Sequence, residues 1–168
     1  PAPATPFNRA ITPHRRFAFR TLALADAQAV KNAFGVTVND VVLALCASAL
    51  RRYLADRDAL PAAPLIAMVP VSVRSGDESD TYTTRVTGLT CVLHTDIDDP
   101  VARLRAIHES MCAAKELQRA IPATILTDIT QFTPPVLAAQ AARLVTQTRI
   151  ADRMRPPFNV IVSNVPGP

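Results

Sequence analysis

Residues 35–54 read GVTVNDVVLALCASALRRYL, and they hold the clearest periodicity in the chain. Val38, Val41, Val42, Leu45, Ala49 and Tyr53 recur at three- and four-residue steps. That spacing lines one face of a helix, predicted to run to about Asp56. Thr37 stands just before it and Asp40 three residues later. Thr-x-x-Asp is a variant of the capping box, in which each side chain takes the other's free backbone N–H. An acid in the first turn also suits the positive end of the helix dipole.

Outward from this helix the chain alternates between the two regular periods. Upstream, residues 26–34 suit a short helix closed by Gly35, and RFAFRTLAL (16–24) alternates well enough for a strand. Residues 1–14 are held irregular by proline. Downstream, Pro61 and Pro64 end the unit. LIAMVPV (65–71) is wholly apolar and reads as a buried strand, and VTGLTCVLHTD (86–96) is rich in β-formers. Asp99-Pro100 opens a helix with proline in its first turn, followed by Val101, Leu104, Ile107, Met111, Lys115 and Leu117 at roughly helical spacing. Pro122 breaks it; helices are predicted over 123–132 and from Pro134-Pro135 to about Ala151, and FNVIVSN (158–164) closes as a strand. The order β-α-α-β-β-α-α-α-β predicts an α/β or α+β two-layer sandwich, one sheet with helices packed on it.

The 168 residues suffice for one ordinary core, and 49% hydrophobic against 19% charged is a globular balance. Aromatics make up only 5% and Trp is absent, so Ala, Val, Leu and Ile must build that core. The net charge of +4 is spread without a basic run, which argues against a nucleic-acid partner; it leaves anionic lipid or an acyl-CoA as fitting ligands. No apolar run reaches the 18 residues that a membrane-spanning helix needs, and no secretory leader pattern is present. Cys46, Cys91 and Cys112 are an odd, unpatterned set in apolar surroundings, and read as buried free thiols of a reducing compartment. PAPATPFN at the start reads like a linker, and NVIVSNVPGP at the end like a strand stopped at its turn, so the chain is expected to be a segment of a larger protein.

A self-sufficient catalytic site is hard to assemble from these residues. His14, His94 and His108 each read as an exposed or core-edge histidine without a patterned partner. No metal-ligand spacing is visible, no Gly-x-Ser-x-Gly elbow occurs, and four glycines do not supply a phosphate loop. Three stretches are more specific. Asn39 and Asp40 sit at a helix start, where short polar side chains bind free N–H groups; plain capping is the competing reading. Ser72 and Arg74 leave the end of a buried strand, where α/β sheets present ligand-binding groups; a loop-anchoring Arg is the alternative. Ser163 and Asn164 end a strand before a rigid turn, placed to aim a hydroxyl and an amide at a developing oxyanion; turn chemistry is the alternative.

TPFN at 5–8, RR at 15–16, GVTVNDVVLALCASALRRYL at 35–54, PLIAMVPVSVR at 64–74, DPVARLRAIH at 99–108 and FNVIVSNVPGP at 158–168 together resemble the bacterial wax ester synthase/diacylglycerol acyltransferase family. Each piece alone is weak, but their order and spacing span nearly the whole chain. The Ala- and Arg-rich composition resembles that of actinobacterial proteins. The resemblance implies two chloramphenicol-acetyltransferase-like halves with a substrate tunnel between them. It implies transfer of a long-chain acyl group from acyl-CoA to diacylglycerol or a fatty alcohol, with no metal and no cofactor beyond acyl-CoA as co-substrate. The family's base is the second His of a His-His-x-x-x-Asp-Gly motif in the N-terminal half, and no such motif occurs in this chain.

On this resemblance residues 1–14 are an inter-domain linker and 15–168 an incomplete C-terminal half-domain. That half is expected to supply tunnel wall, with helix 134–145 among the candidates, and second-half active-site surface. The chain alone is expected to be inactive, its partner being the N-terminal half of the same protein. The expected location is cytoplasmic, peripheral to the inner membrane or to lipid bodies. Asn39-Asp40 matches the family's Asn-Asp motif, 70–74 its Pro-Val-Ser-Val-Arg stretch, and 163–168 its Ser-Asn-Val-Pro-Gly-Pro turn. Thr83-Thr84 stands where relatives usually carry Gly-Asn, which puts that function of the tunnel in doubt here. A non-catalytic lipid-binding or partner-pairing domain of the same fold is the alternative reading.

Overall fold

The computed structural model of the chain describes residues 1–8, 14–72, 86–120 and 155–165. The described elements are helices α1 (Leu24–Phe34) and α2 (Val38–Ala55), strands β1 (Ile66–Ser72) and β2 (Val86–Val92), helix α3 (Pro100–Ala120) and strand β3 (Val160–Ile161). The sheet order is β2-β1-β3. β2 is antiparallel to β1 with Ala67 opposite Cys91 and Val69 opposite Leu89. β3 is parallel to β1, with Ala67 opposite Val160.

Each element forms for a local reason. Gly35 adopts φ 67°, a left-handed conformation that costs glycine little, and its N–H caps the Lys31 carbonyl at the end of α1. The reciprocal capping box predicted for Thr37 and Asp40 starts α2: the Asp40 N–H donates to Thr37 Oγ1 at 3.2 Å, and the Thr37 N–H to Asp40 Oδ2 at 2.9 Å. Asp99 starts α3 by accepting the Ala102 N–H at 2.7 Å, with Pro100 as the first helical residue.

Strand alternation sets the layers. Leu65, Ala67, Val69, Leu89, Cys91 and Leu93 are buried and pack with Leu43, Ala47 and Leu54 of α2 and Ile107 and Met111 of α3. Ile66, Met68 and Val92 face the other way and are half-buried. Pro70 is tolerated inside β1. The odd-numbered residues bond to β2, as the Leu93 N–H bonds the Leu65 carbonyl at 2.8 Å, while the Ile66 and Met68 carbonyls accept from Asn159 and Val162 on the other edge. Pro70, one pair further on, lacks its N–H on that second edge, past the two-residue pairing with β3.

Three expectations are corrected. Helix α2 has the predicted length, but its buried face is only partly the predicted one: Val41 is buried and Val42 packs on the core as expected, and Leu43, Ala47 and Leu54 join them, whereas Leu45 and Tyr53 are exposed and Arg57 stacks over the Tyr53 ring at 3.9 Å. Both faces of this helix are apolar enough, and the sheet with α3 decides between them. Residues 16–23 form no strand; Phe17 and Phe19 are 89% and 85% exposed and stack on each other at 6.1 Å. Among the described residues nothing pairs with that backbone, and alternation without a neighbouring strand has no ladder to join. The three thiols are free, yet only Cys91 is buried; Cys46 is half-buried and Cys112 exposed. The helices predicted over 123–132 and 134–151 lie outside the described residues.

The first five residues are irregular, as proline dictates, Pro6–Asn8 form a single 3-10 turn, and the whole segment is docked. Ala2 and Thr5 are buried, and the Ala2 N–H bonds the Pro156 carbonyl at 2.9 Å. Asn159, itself buried, ties this segment to the sheet. Its amide donates to the Pro3 carbonyl (2.8 Å) and to Asn8 Oδ1 (2.7 Å), and its Oδ1 accepts the Ile66 N–H at 3.0 Å.

Candidate functional site

The capping box that starts α2 also makes a polar site. Asp40 is 1% exposed, although it is an acid in the first turn of a helix. Its Oδ2, already bonded to the Thr37 N–H, accepts from Nδ1 of His108 at 2.7 Å across the α2–α3 interface. Its Oδ1 is buried without a partner among the described residues. Burial by itself would raise the Asp40 carboxyl. Hydrogen bonds from His108, from the Thr37 backbone and from the Thr37 hydroxyl, with the charge of His108, outweigh it and hold the carboxyl below its ordinary value. A third of the His108 side chain is exposed, and its Nε2 lies 3.7 Å from Sγ of Cys112, one turn further along α3. Cys91 is close enough to feel Asp40: burial first, then that charge, push its thiol up to about 12.

A second polar cluster fixes the opposite part of the α2–α3 contact. Arg103 is 4% exposed and donates to the carbonyls of Ile97 (2.6 Å) and Asp98 (3.2 Å) and to Ser48 Oγ (2.8 Å). Burial and the charge of Arg51 lower Arg103, against Asp98 and Asp99, which raise it. Arg51 donates to the Thr95 carbonyl and to Asp98 Oδ1. His94 takes a left-handed φ of 46° in this loop, and its Nε2 is hydrogen-bonded to Ser110 Oγ at 2.8 Å. All of these groups serve to hold the loop against two helices.

The predicted site residues are therefore only partly brought together. Asp40 is the centre of the buried dyad. Asn39, beside it, is half-buried on the first turn of α2. Ser163 and Asn164 are exposed just past β3. Because β3 runs parallel to β1, they leave the sheet at the end where Ser72 terminates β1. Arg74 and Thr83-Thr84 lie outside the described residues, as do residues 166–168 of the turn.

His108 was missed by sequence reading. It lies 68 residues from Asp40, and its only sequence signal is its place one turn before Cys112 and one residue after the core position Ile107. Asn159 was missed too, its sole signal being a polar residue set into an apolar run.

Comparison with known proteins fits this architecture. The family model described as the WS/DGAT C-terminal domain matches residues 83–168, and that of the wax ester synthase/diacylglycerol acyltransferase catalytic domain matches residues 1–42. Asp40 falls in the second match and His108 in the first, so the dyad joins the two matched regions. Two Mycobacterium tuberculosis proteins whose names assign them provisionally as diacylglycerol O-acyltransferases are similar. One is 45% identical over 166 residues, covering 99% of this chain and 36% of the relative; the other is 43% identical over 168 residues, covering 99% and 33%. Among solved structures, the wax ester synthase/diacylglycerol acyltransferase from Marinobacter aquaeolei VT8 superposes with a TM-score of 0.74 at 38% identity, over 99% of this chain and 35% of that one. The chain thus spans about a third of the length of the relatives it matches. Its sheet and helices are the chloramphenicol-acetyltransferase-like α/β arrangement of that neighbour, and the chain belongs to the wax ester synthase/diacylglycerol acyltransferase family.

Proposed function

We propose that this chain is part of an acyl-CoA-dependent O-acyltransferase that makes triacylglycerol from diacylglycerol or wax ester from a fatty alcohol. The observation that carries the reading is the structural match over 99% of the chain at 38% identity. The mycobacterial relatives' names favour diacylglycerol as the acceptor. Within that enzyme these residues supply tunnel wall and second-half active-site surface. The base that deprotonates the acceptor comes from the N-terminal half. The His-His-x-x-x-Asp-Gly motif that carries this base in the family does not occur within these 168 residues.

Exposed apolar groups support both a lipid substrate and the packing of another half. Phe17, Phe19, Leu22 and Leu24 are all more than 60% exposed in one continuous stretch. Burial of a long acyl chain contributes about 0.8 kcal/mol per methylene, so apolar walls are the main source of substrate affinity. The enzyme is expected to act on the cytoplasmic side, at a membrane or lipid-body surface where its substrates collect.

The test is ester formation by the complete protein, with palmitoyl-CoA as donor and dioleoylglycerol or hexadecanol as acceptor. Ester is expected from at least one acceptor. Ser163→Ala and Asn164→Ala are each expected to lower turnover by about a hundredfold to a thousandfold, the range for lost oxyanion donors, with an unchanged melting temperature because both residues are exposed. If neither acceptor is esterified by a folded protein that still binds lipid vesicles, the domain is a lipid-binding module instead.

A further inference from the structure

We propose that Cys112 is a nucleophilic thiol, with His108 as its base and Asp40 as the positioning residue, and that it takes an acyl group from a thioester. The identity of the donor rests on the acyl-CoA reading above, whereas the nucleophile itself rests on geometry alone.

His108 and Cys112 occupy positions i and i+4 of α3, so their side chains project from the same face. The Asp40 carboxylate fixes which imidazole nitrogen is free. An ionised carboxylate only accepts, so the 2.7 Å contact places the hydrogen on His108 Nδ1. Whenever the ring is neutral, Nε2 carries its lone pair toward Sγ of Cys112, 3.7 Å away. Acid, imidazole and nucleophile stand in the order that acyl-transferring triads use. The acid cannot swing away, because the Thr37 N–H holds the same oxygen and the residue is 1% exposed.

Access separates Cys112 from the other two thiols. It is exposed, whereas Cys91 is buried and Cys46 half-buried. Burial raises the thiols of both, Cys91 to about 12 with the help of the Asp40 charge. They are built to stay protonated and unreactive, and they serve as internal controls.

The step balances without any further reagent. His108 Nε2 takes the Sγ proton as Sγ attacks the thioester carbonyl carbon. The bond from that carbon to the coenzyme A sulfur breaks, and the imidazolium returns the proton to the departing thiolate. Cys112 gains one acyl group in a new thioester, and free coenzyme A leaves as a thiol.

The test uses the whole chain with palmitoyl-CoA, followed by proteolysis and mass spectrometry. A palmitoyl adduct is expected on the peptide carrying Cys112, removed by neutral hydroxylamine and formed at least about tenfold more slowly in His108→Gln. Alkylation by iodoacetamide, which needs no acyl donor, is expected to pick Cys112 first and to slow by a similar factor in that variant. Asp40→Asn can donate to Nδ1 and so reverse the tautomer. It is expected to slow alkylation in protein whose circular dichroism is unchanged, a readout that a purely structural role would not move. Equal alkylation of Cys112 in wild type and His108→Gln overturns the proposal, and so does an absent adduct or one spread equally over Cys46 and Cys91. Ester formation by the wild-type complete protein, measured in parallel, reports on the acyl-CoA reading alone and separates the two failures.

Discussion

Helix α2 and the run at 16–24 are both marked by apolar periodicity, yet only one of them meets the core. Helix α2 carries its own start signal, and Leu43, Ala47 and Leu54 are fully buried in it. The 16–24 run has strand-like alternation, yet Phe17, Phe19, Leu22 and Leu24 all face solvent, and its last residue opens α1. The difference is where the hydrogen bonds go. A helix satisfies its backbone within itself, so a pattern and a cap suffice to form it. A strand needs a neighbour, and its alternation has no structural consequence until one is beside it. The apolar side of such a run marks a surface that fits another element.

The largest effect tests that contrast directly. Ile107→Ala removes a fully buried side chain between α3 and the sheet and should destabilise by about 2–5 kcal/mol. Phe17→Ser should stay within about 0.5 kcal/mol in the 168-residue chain, because an 89% exposed ring has little burial to lose. Denaturant midpoints measure both. A Phe17→Ser loss as large as that of Ile107→Ala would mean that the run is covered, and would erase the distinction between the two regions.

The Asp40–His108 pair gives the next effect, and it asks whether α2 is held only by its apolar face. Asp40→Ala removes one arm of the capping box and the bond to His108. The expected loss is about 1–3 kcal/mol at neutral pH, from typical values for caps and for hydrogen bonds to charged groups. The pH dependence has a definite sign. The folded carboxyl lies below its ordinary 3.8, so its contribution is present above that value and is lost as pH falls through the lower, folded one. The gap between wild type and Asp40→Ala should therefore close as the solution is acidified below about pH 4. A gap that stays constant would assign the whole effect to packing.

The sequence was most legible where causes are local. Gly35, the Thr37–Asp40 box and Asp99-Pro100 announced three helix boundaries, and each is made by the backbone contact that the residue type implies. The two main strands were legible as apolar runs. What stayed hidden depends on long-range choice. Leu43, Ala47 and Leu54 compete with Leu45, Ala49 and Tyr53 for the core, and the winner is set by β1, β2 and α3. The site was half legible for the same reason. Asp40 was singled out by its cap, but its partner lies across a helix interface that no spacing in the sequence encodes. Asn159 supplies an acceptor to β1 and two donors to the N-terminal segment. Only three-dimensional accounting of backbone N–H groups reveals that.

The smallest effect separates two roles of one arginine at the far end of α2. Arg51 pairs with Asp98 at 2.9 Å, but that carboxylate's side chain is 92% exposed, against 22% for the arginine. Solvent screens such a pair, so Asp98→Ala should change stability by no more than about 0.5 kcal/mol. Arg51 also donates to the carbonyl of Thr95, a fully buried residue whose own hydroxyl accepts the Leu65 N–H at the head of β1. Arg51→Ala leaves that carbonyl without this donor and should cost about 1 kcal/mol. Thermal melts of the two single variants and the double variant decide between the roles. If the charge pair carried the energy, the two singles would lose equally and the double would lose no more than either. If the carbonyl contact carries it, the double variant should match Arg51→Ala while Asp98→Ala stays near wild type. The second outcome would place the strength of this corner in backbone satisfaction, the same cause that separates α2 from the run at 16–24.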